Sequence, residues 1–143
     1  MTYYSRKAIR IARVISEFKV SREVLEEALH MLKSRFHGKS SSWFNRCLDR
    51  LTDVKKAVKA NTWIVRGRPE LGDYEPLYIV TYTPEIRRYT CTCYDPRKPY
   101  GSHRMKSICT HVGAVILWRL LMERRLHEFA AYGDCKGHSE AEQ

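Results

Sequence analysis

Amide side chains are scarce in this sequence, which holds two Asn (Asn45 and Asn61) and a single Gln (Gln143) among its 143 residues. Beside a charged fraction of 29%, that shortage of thermolabile amides is a thermophile tendency. Long apolar runs are also missing. The longest, residues 112–118, stops at Arg119 and is too short to span a bilayer, so no membrane partner is expected. The opening MTYYSRKAIRIARVI is basic and amphipathic and does not resemble a secretion signal, which makes a cytoplasmic protein the expectation, nucleoid-associated if its partner is DNA. No Gly-rich phosphate loop, nucleophile–base pair, carboxylate dyad or C-x-x-C redox motif occurs, so catalysis is not expected. Acidic residues are the last shortage: 16 Asp/Glu face 26 Lys/Arg, leaving a net charge of +10. The first sixty residues carry most of it, with 14 basic against 6 acidic side chains. Such an excess favours a polyanionic partner over a small neutral substrate.

What is present is enough for a core, since 43% of the residues are apolar. Residues 1–60 read as a basic helical region. Ala8, Ile11, Ala12, Ile15 and Phe18 share one helical face, with Arg6, Arg10 and Arg13 opposite. Ser21 is a good N-cap for a second helix with Leu25, Ala28, Leu29, Leu32 and Phe36 on its apolar side. A third helix is expected to carry Phe44, Cys47, Leu48, Leu51, Val54 and Val58. After Asn61 the pattern changes to the short β-branched and aromatic runs TWIVRGR, PLYIVTY and IRRYTCT, joined by RPELGD and TPE, as in an antiparallel meander. THVGAVILWRLLMERRLHEF then reads as a helix buried on most sides, and residues 131–143 as a flexible tail. The expected class is α+β, with N-terminal helices packed on a small sheet plus helix. Residues 61–130 form its second region.

Three of the five cysteines lie in YTCTCYDPRKPYGSHRMKSICTHVGAVIL. Residues two apart in a strand share a face, so Cys91 and Cys93 at a strand end can aim both sulfurs at one point. Residues two apart in a helix are about 200° apart around the axis, so Cys109 must precede the helix that carries His111, with Thr110 as candidate cap. A disulfide between cysteines separated by one residue is a strained ring. Buried free cysteines are common, but two x-separated pairs at a strand end and a helix start favour a closed structural zinc site with four protein ligands and no open position.

The pattern C-x-C, a variable loop and C-x-H resembles the SWIM zinc finger. The flanking WIV, YIV and the apolar helix after CTHVGAVI agree with it over residues 61–122. The resemblance implies a ββα-type zinc unit, one structural zinc ion on Cys91, Cys93, Cys109 and His111, and DNA or protein partners, a recombinase-type ATPase among them. The enclosed segment YDPRKPYGSHRMKSI is longer and more basic than a minimal finger and contains His103, a decoy ligand.

The zinc would fasten that segment, which offers Arg97, Lys98, Arg104 and Lys106 to phosphate, with Arg87 and Arg88 alongside. Arg6, Arg10 and Arg13 form a second candidate surface, although Glu17 stands within reach of Arg13. Cys47, Trp63, Trp118, Tyr78 and Tyr82 read as packing. Cys135, His138, His30, His37 and His127 have no partners that suggest ligation. The expected function is therefore a zinc-stabilised nucleic-acid-binding protein that contacts backbone phosphates with little sequence preference. DNA is favoured by the resemblance, and RNA or a ribosomal association is open. The alternative is a protein adaptor.

Overall fold

A computed structural model describes the backbone of residues 6–98 and 107–141, with side chains through residue 126. Helix α1 (Arg6–Phe18) buries Ile11 and Val14 and ends at Lys19, whose φ of +53° leaves the right-handed helical region. The Ser21 hydroxyl accepts from Val24 N–H at 3.2 Å and starts α2 (Arg22–Arg35), which buries Leu25, Ala28, Leu29 and Leu32 at three- and four-residue spacing. Ser40 caps α3 (Ser41–Arg50) in the same way, accepting from Trp43 N–H at 3.2 Å.

The third helix is shorter than its apolar period suggests. It ends at Arg50, passes through a tight turn at Leu51–Asp53, and becomes strand β1 (Val54–Lys56). Val54 is buried in either conformation, because it lies three residues from Leu51 on a helix and faces the core as a strand opposite Val65. Val58, expected on the helical face, is fully exposed.

Strands β1, β2 (Thr62–Arg66), β3 (Leu77–Thr83) and β4 (Arg88–Cys91) form an antiparallel meander in that spatial order. The register aligns Val54, Val65 and Tyr78 in one row and Lys56, Trp63, Val80 and Cys91 in the next, all on the inner face. Because β1 precedes residue 61 and β2 follows it, the sheet is built across the change in sequence character. Helix α4 (Thr110–Ala141) packs between this inner face and helices α2 and α3. Its first turns are buried all round, with Val112, Ala114, Val115, Ile116 and Leu117 each at most 3% exposed. The helix continues through the segment whose composition suggests a flexible tail. The fold is thus α+β. Among the described residues, no helix is long and apolar enough to cross a membrane.

Gly113 lets α3 and α4 touch. A Cβ there would lie 2.5 Å from Cys47 Sγ and 2.7 Å from the Trp43 ring, closer than real atoms approach. An Ala gains about 1 kcal/mol of helix propensity over Gly, but overpacking against a rigid indole costs about 1–3 kcal/mol. Gly113→Ala should therefore lower the urea midpoint. Gly38→Ala, where a Cβ meets nothing within 4 Å, should leave it almost unchanged.

Candidate metal centre

The four residues singled out by spacing converge. The ligand atoms of Cys91, Cys93, Cys109 and His111 lie within 4.8 Å of one another, and all four residues are buried. One metal ion could bind them all.

The local geometry departs from the sequence expectation in two respects. Strand β4 stops at Cys91, and Cys93 sits in the one-turn helix Thr92–Tyr94, with its N–H directed at Cys91 Sγ at 3.5 Å. The two sulfurs therefore meet through a turn rather than through the pleat of a strand. At the other end, Cys109 itself caps α4. Its Sγ accepts from Val112 N–H at 3.5 Å and its carbonyl from Gly113 N–H at 3.1 Å. Thr110, the expected cap, is the first helical residue, and its hydroxyl accepts from Arg50 Nε at 2.8 Å.

The approach to Cys109 is strained. Ile108 has a φ of +62°, in the left-handed region that disfavours a β-branched residue by roughly 1–2 kcal/mol. Its carbonyl is held there by Trp43 Nε1 at 3.1 Å and Lys39 Nζ at 3.4 Å, both from the N-terminal helical region. The next amide, Cys109 N–H, donates to the Tyr94 hydroxyl at 3.1 Å.

His111 is oriented from both sides. Nδ1 faces Cys91 Sγ at 3.7 Å, while Nε2 lies 2.9 Å from Asp73 Oδ1. A proton on Nε2, donated to the carboxylate, leaves Nδ1 as the ligand atom. Tyr78 stacks on the imidazole with ring centroids 4.0 Å apart. Asp73 is held in turn by Arg50, whose NH1 and NH2 donate to its two oxygens at 2.5 and 3.0 Å, and by Arg68 N–H at 2.7 Å. Arg50 is 1% exposed and Asp73 6%, so this is a buried ion pair reaching the metal centre through His111. Arg68 extends it to Asp53 in the turn between α3 and β1.

These contacts set the protonation of the metal-free cluster. Burial opposes ionisation of Asp73, but hydrogen bonds from His111, Arg50 and Arg68 outweigh it and hold the carboxyl well below the usual range. Burial likewise disfavours the His111 cation, yet Asp73, Cys109 and Cys93 raise its pKa to about 10. Cys109 is the favoured thiolate: burial works against it, and hydrogen bonds from Cys91, Cys93 and His111 prevail. Cys91, donating to Cys109, is held as a thiol.

Asp73 and Arg50 carry no spacing signal, and sequence reasoning missed both. The one clue is that Arg50 continues the stripe of Trp43 and Cys47 on the buried side of α3. Cys47 is core, as expected, and its burial keeps the thiol neutral.

The candidate phosphate contacts are dispersed. Arg87 is exposed in the β3–β4 turn with a φ of +51°, and Arg88 is exposed on β4. Arg97 is exposed and forks onto the Asp95 carboxylate at 3.1 Å through two nitrogens, and Lys98 is exposed beside it. Arg104 and Lys106 lie outside the described residues. Of the α1 stripe, Arg6 is exposed, Arg13 approaches Glu17 at 3.5 Å, and Arg10 instead turns to Asp49 of α3 at 2.7 Å. Arg10 thus ties two helices together. Sequence reasoning also passed over Lys55 and Arg66, exposed on the outer face of the sheet.

Comparison with known proteins leaves the chain unplaced: no family model, curated protein or solved structure matches it.

Removing Asp73 should loosen the ion without removing a ligand. Asp73→Ala is expected to weaken metal affinity about 10- to 100-fold, read by competition with a chromophoric chelator. His111→Ala and Cys93→Ala should abolish stoichiometric binding. An ion must also displace protons from His111 and Cys91. Affinity should therefore keep rising with pH up to about 10, where His111 loses its proton in the metal-free cluster, with measurable acid release on uptake below that pH.

Proposed function

We propose that the cluster holds one structural zinc ion and that the protein binds nucleic acid through surfaces the zinc stabilises. Three thiolates and an imidazole are the donor set of a structural zinc site, and Zn–S bonds of about 2.3 Å with a Zn–N bond of about 2.0 Å in a tetrahedron give a sulfur–nitrogen edge of about 3.5 Å. The Cys91 Sγ–His111 Nδ1 separation of 3.7 Å is close to that edge. All four ligands are protein side chains and buried, which supports a role as a fastener rather than a catalytic centre. This reading keeps the character implied by the SWIM resemblance.

The observation that carries the nucleic-acid reading is the outer face of the sheet. Lys55, Arg66 and Arg88 stand on it, with Thr81, Thr83 and Thr90 between them, and no strand contains an acidic residue. Within a chain of net charge +10, this is a surface suited to backbone phosphates. The protein would then contact DNA or RNA with little dependence on sequence.

A second reading, a protein adaptor, is favoured by one feature of the same face. Ile64 and Ile79 are paired neighbours on it, with Leu77 beside them, and all three are exposed. Such a patch suits a protein surface, with the cations at its rim.

Fluorescence anisotropy with a labelled duplex and single strand across a salt series tests the first reading. Log K should fall linearly with log salt, and neutralising Lys55, Arg66 and Arg88 should reduce the slope by about one per cation. Absence of binding to either form at low salt would refute it. An adaptor would lose its partner on Ile64→Ser and Ile79→Ser while tolerating the charge changes. Metal analysis should return about one zinc per chain.

A further inference from the structure

On the opposite side of the sheet, the inner face does not close completely on α4. A groove of about 640 Å³ opens at the end of the sheet carrying Trp63, Tyr82 and Tyr89. That volume lies within the usual range for small-molecule sites, about 300–1,000 Å³. The three rings face α4, and the Arg119 guanidinium lies over Trp63 at 5.0 Å and over Tyr82 at 5.2 Å. Its NH1 donates to the Tyr89 hydroxyl at 2.5 Å, one of the five N–H donors a guanidinium carries. Lys56 places its ammonium 5.4 Å from the Trp63 ring and spends two hydrogen bonds on the carbonyls of Ala57 and Lys59. Arg35 and Glu123 also line the groove, so three cations stand there against one carboxylate.

One polar group in the groove wall is unsatisfied. Trp63 is 3% exposed, and its indole Nε1 is buried without a hydrogen-bond acceptor among the described residues. Buried N–H donors are nearly always paired; a water or a ligand oxygen would reach this one only after a small movement of the groove wall, because the atom is closed to solvent as the fold stands. A ligand suited to the whole groove combines a planar ring for the aromatic wall, an oxygen for the indole N–H and a negative charge for the cations. A nucleotide has all three.

We infer that this groove takes one nucleotide unit of a single-stranded nucleic acid, the base stacking against the Arg119 guanidinium that lies over the rings of Trp63 and Tyr82, and a phosphate meeting Lys56 and Arg35. The inference rests on the nucleic-acid reading and adds a preference for unpaired strands, since a base in a duplex cannot enter. The two surfaces adjoin at β1. Consecutive Lys55 and Lys56 point to opposite faces of that edge strand, one toward the outer sheet surface and one toward the groove.

The test compares a fluorescein-labelled oligothymidylate of fifteen residues with a duplex of the same length, and with thymidine monophosphate as competitor. Lys56→Ala alters an exposed side chain and should not endanger folding. Tyr82→Leu and Trp63→Phe remove ring surface and the indole donor respectively. The wild-type chain should prefer the single strand, and each variant should lose about ten-fold in single-strand affinity, as expected for one stacked base. Duplex affinity should change less than two-fold. Ultraviolet cross-links should fall in Thr62–Arg66 or Leu77–Thr83. Competition by the mononucleotide that is lost in Tyr82→Leu would support the groove with free nucleotide as the source. Equal affinity for strand and duplex, unchanged in all three variants, would overturn the groove while leaving the nucleic-acid reading standing. Binding of neither form, nor of the mononucleotide, would overturn both.

Discussion

The buried carboxylate of Asp73 is the constraint on which the remaining structure depends. It accepts from Arg50 of α3 twice, from His111 of α4, and from the backbone of Arg68 in its own loop. Three distant parts of the chain therefore meet at one negative charge. Such a group tolerates burial only when all its partners are present, and losing one from a buried pair typically costs about 3–5 kcal/mol. Gly72, with a φ of +88°, turns the chain just before Asp73 and delivers it inward. The β2–β3 connection is thus part of the candidate metal centre, although it supplies none of the four cluster residues.

The helical region is bound to that centre just as firmly. Trp43 and Lys39 hold the Ile108 carbonyl in a strained conformation, and the next residue, Cys109, caps α4 and lies among the other cluster residues. The strain is small beside the roughly 10–16 kcal/mol that the proposed structural zinc ion would contribute, judged from small zinc-binding peptides. It is also local, so it fixes the direction of one residue without distorting the helix that follows. Residues 1–60 thus supply two of the contacts that fix the approach to Cys109.

The ligands were legible because their signal is short in sequence: two x-separated pairs, a strand composition before the first and an apolar helix after the second. The strands and helices were legible for similar reasons, since period two and period 3.6 are local properties. The groups that orient His111 were not. Arg50 and Asp73 are 23 residues apart, Asp73 and His111 are 38 apart, and each alone looks like an ordinary surface charge. β1 escaped because Val54 satisfies the helical and the strand period equally. Arg10 illustrates the converse case: a helical period assigns a face but not a partner, and the length of an arginine lets it reach Asp49 from what should be the solvent side.

Strand β1 is only three residues long, and it forms one open edge of the sheet. An exposed edge is a template on which another chain can add a strand, and short length together with lysine is a common protection against it. Here two of the three residues are lysines. Their ammonium groups would have to be desolvated, or brought against the same charges on a second copy, before the sheet could extend. The same charges keep copies of this chain apart, and under the proposed function a bound strand that neutralised those lysines would remove the protection at the edge it occupied.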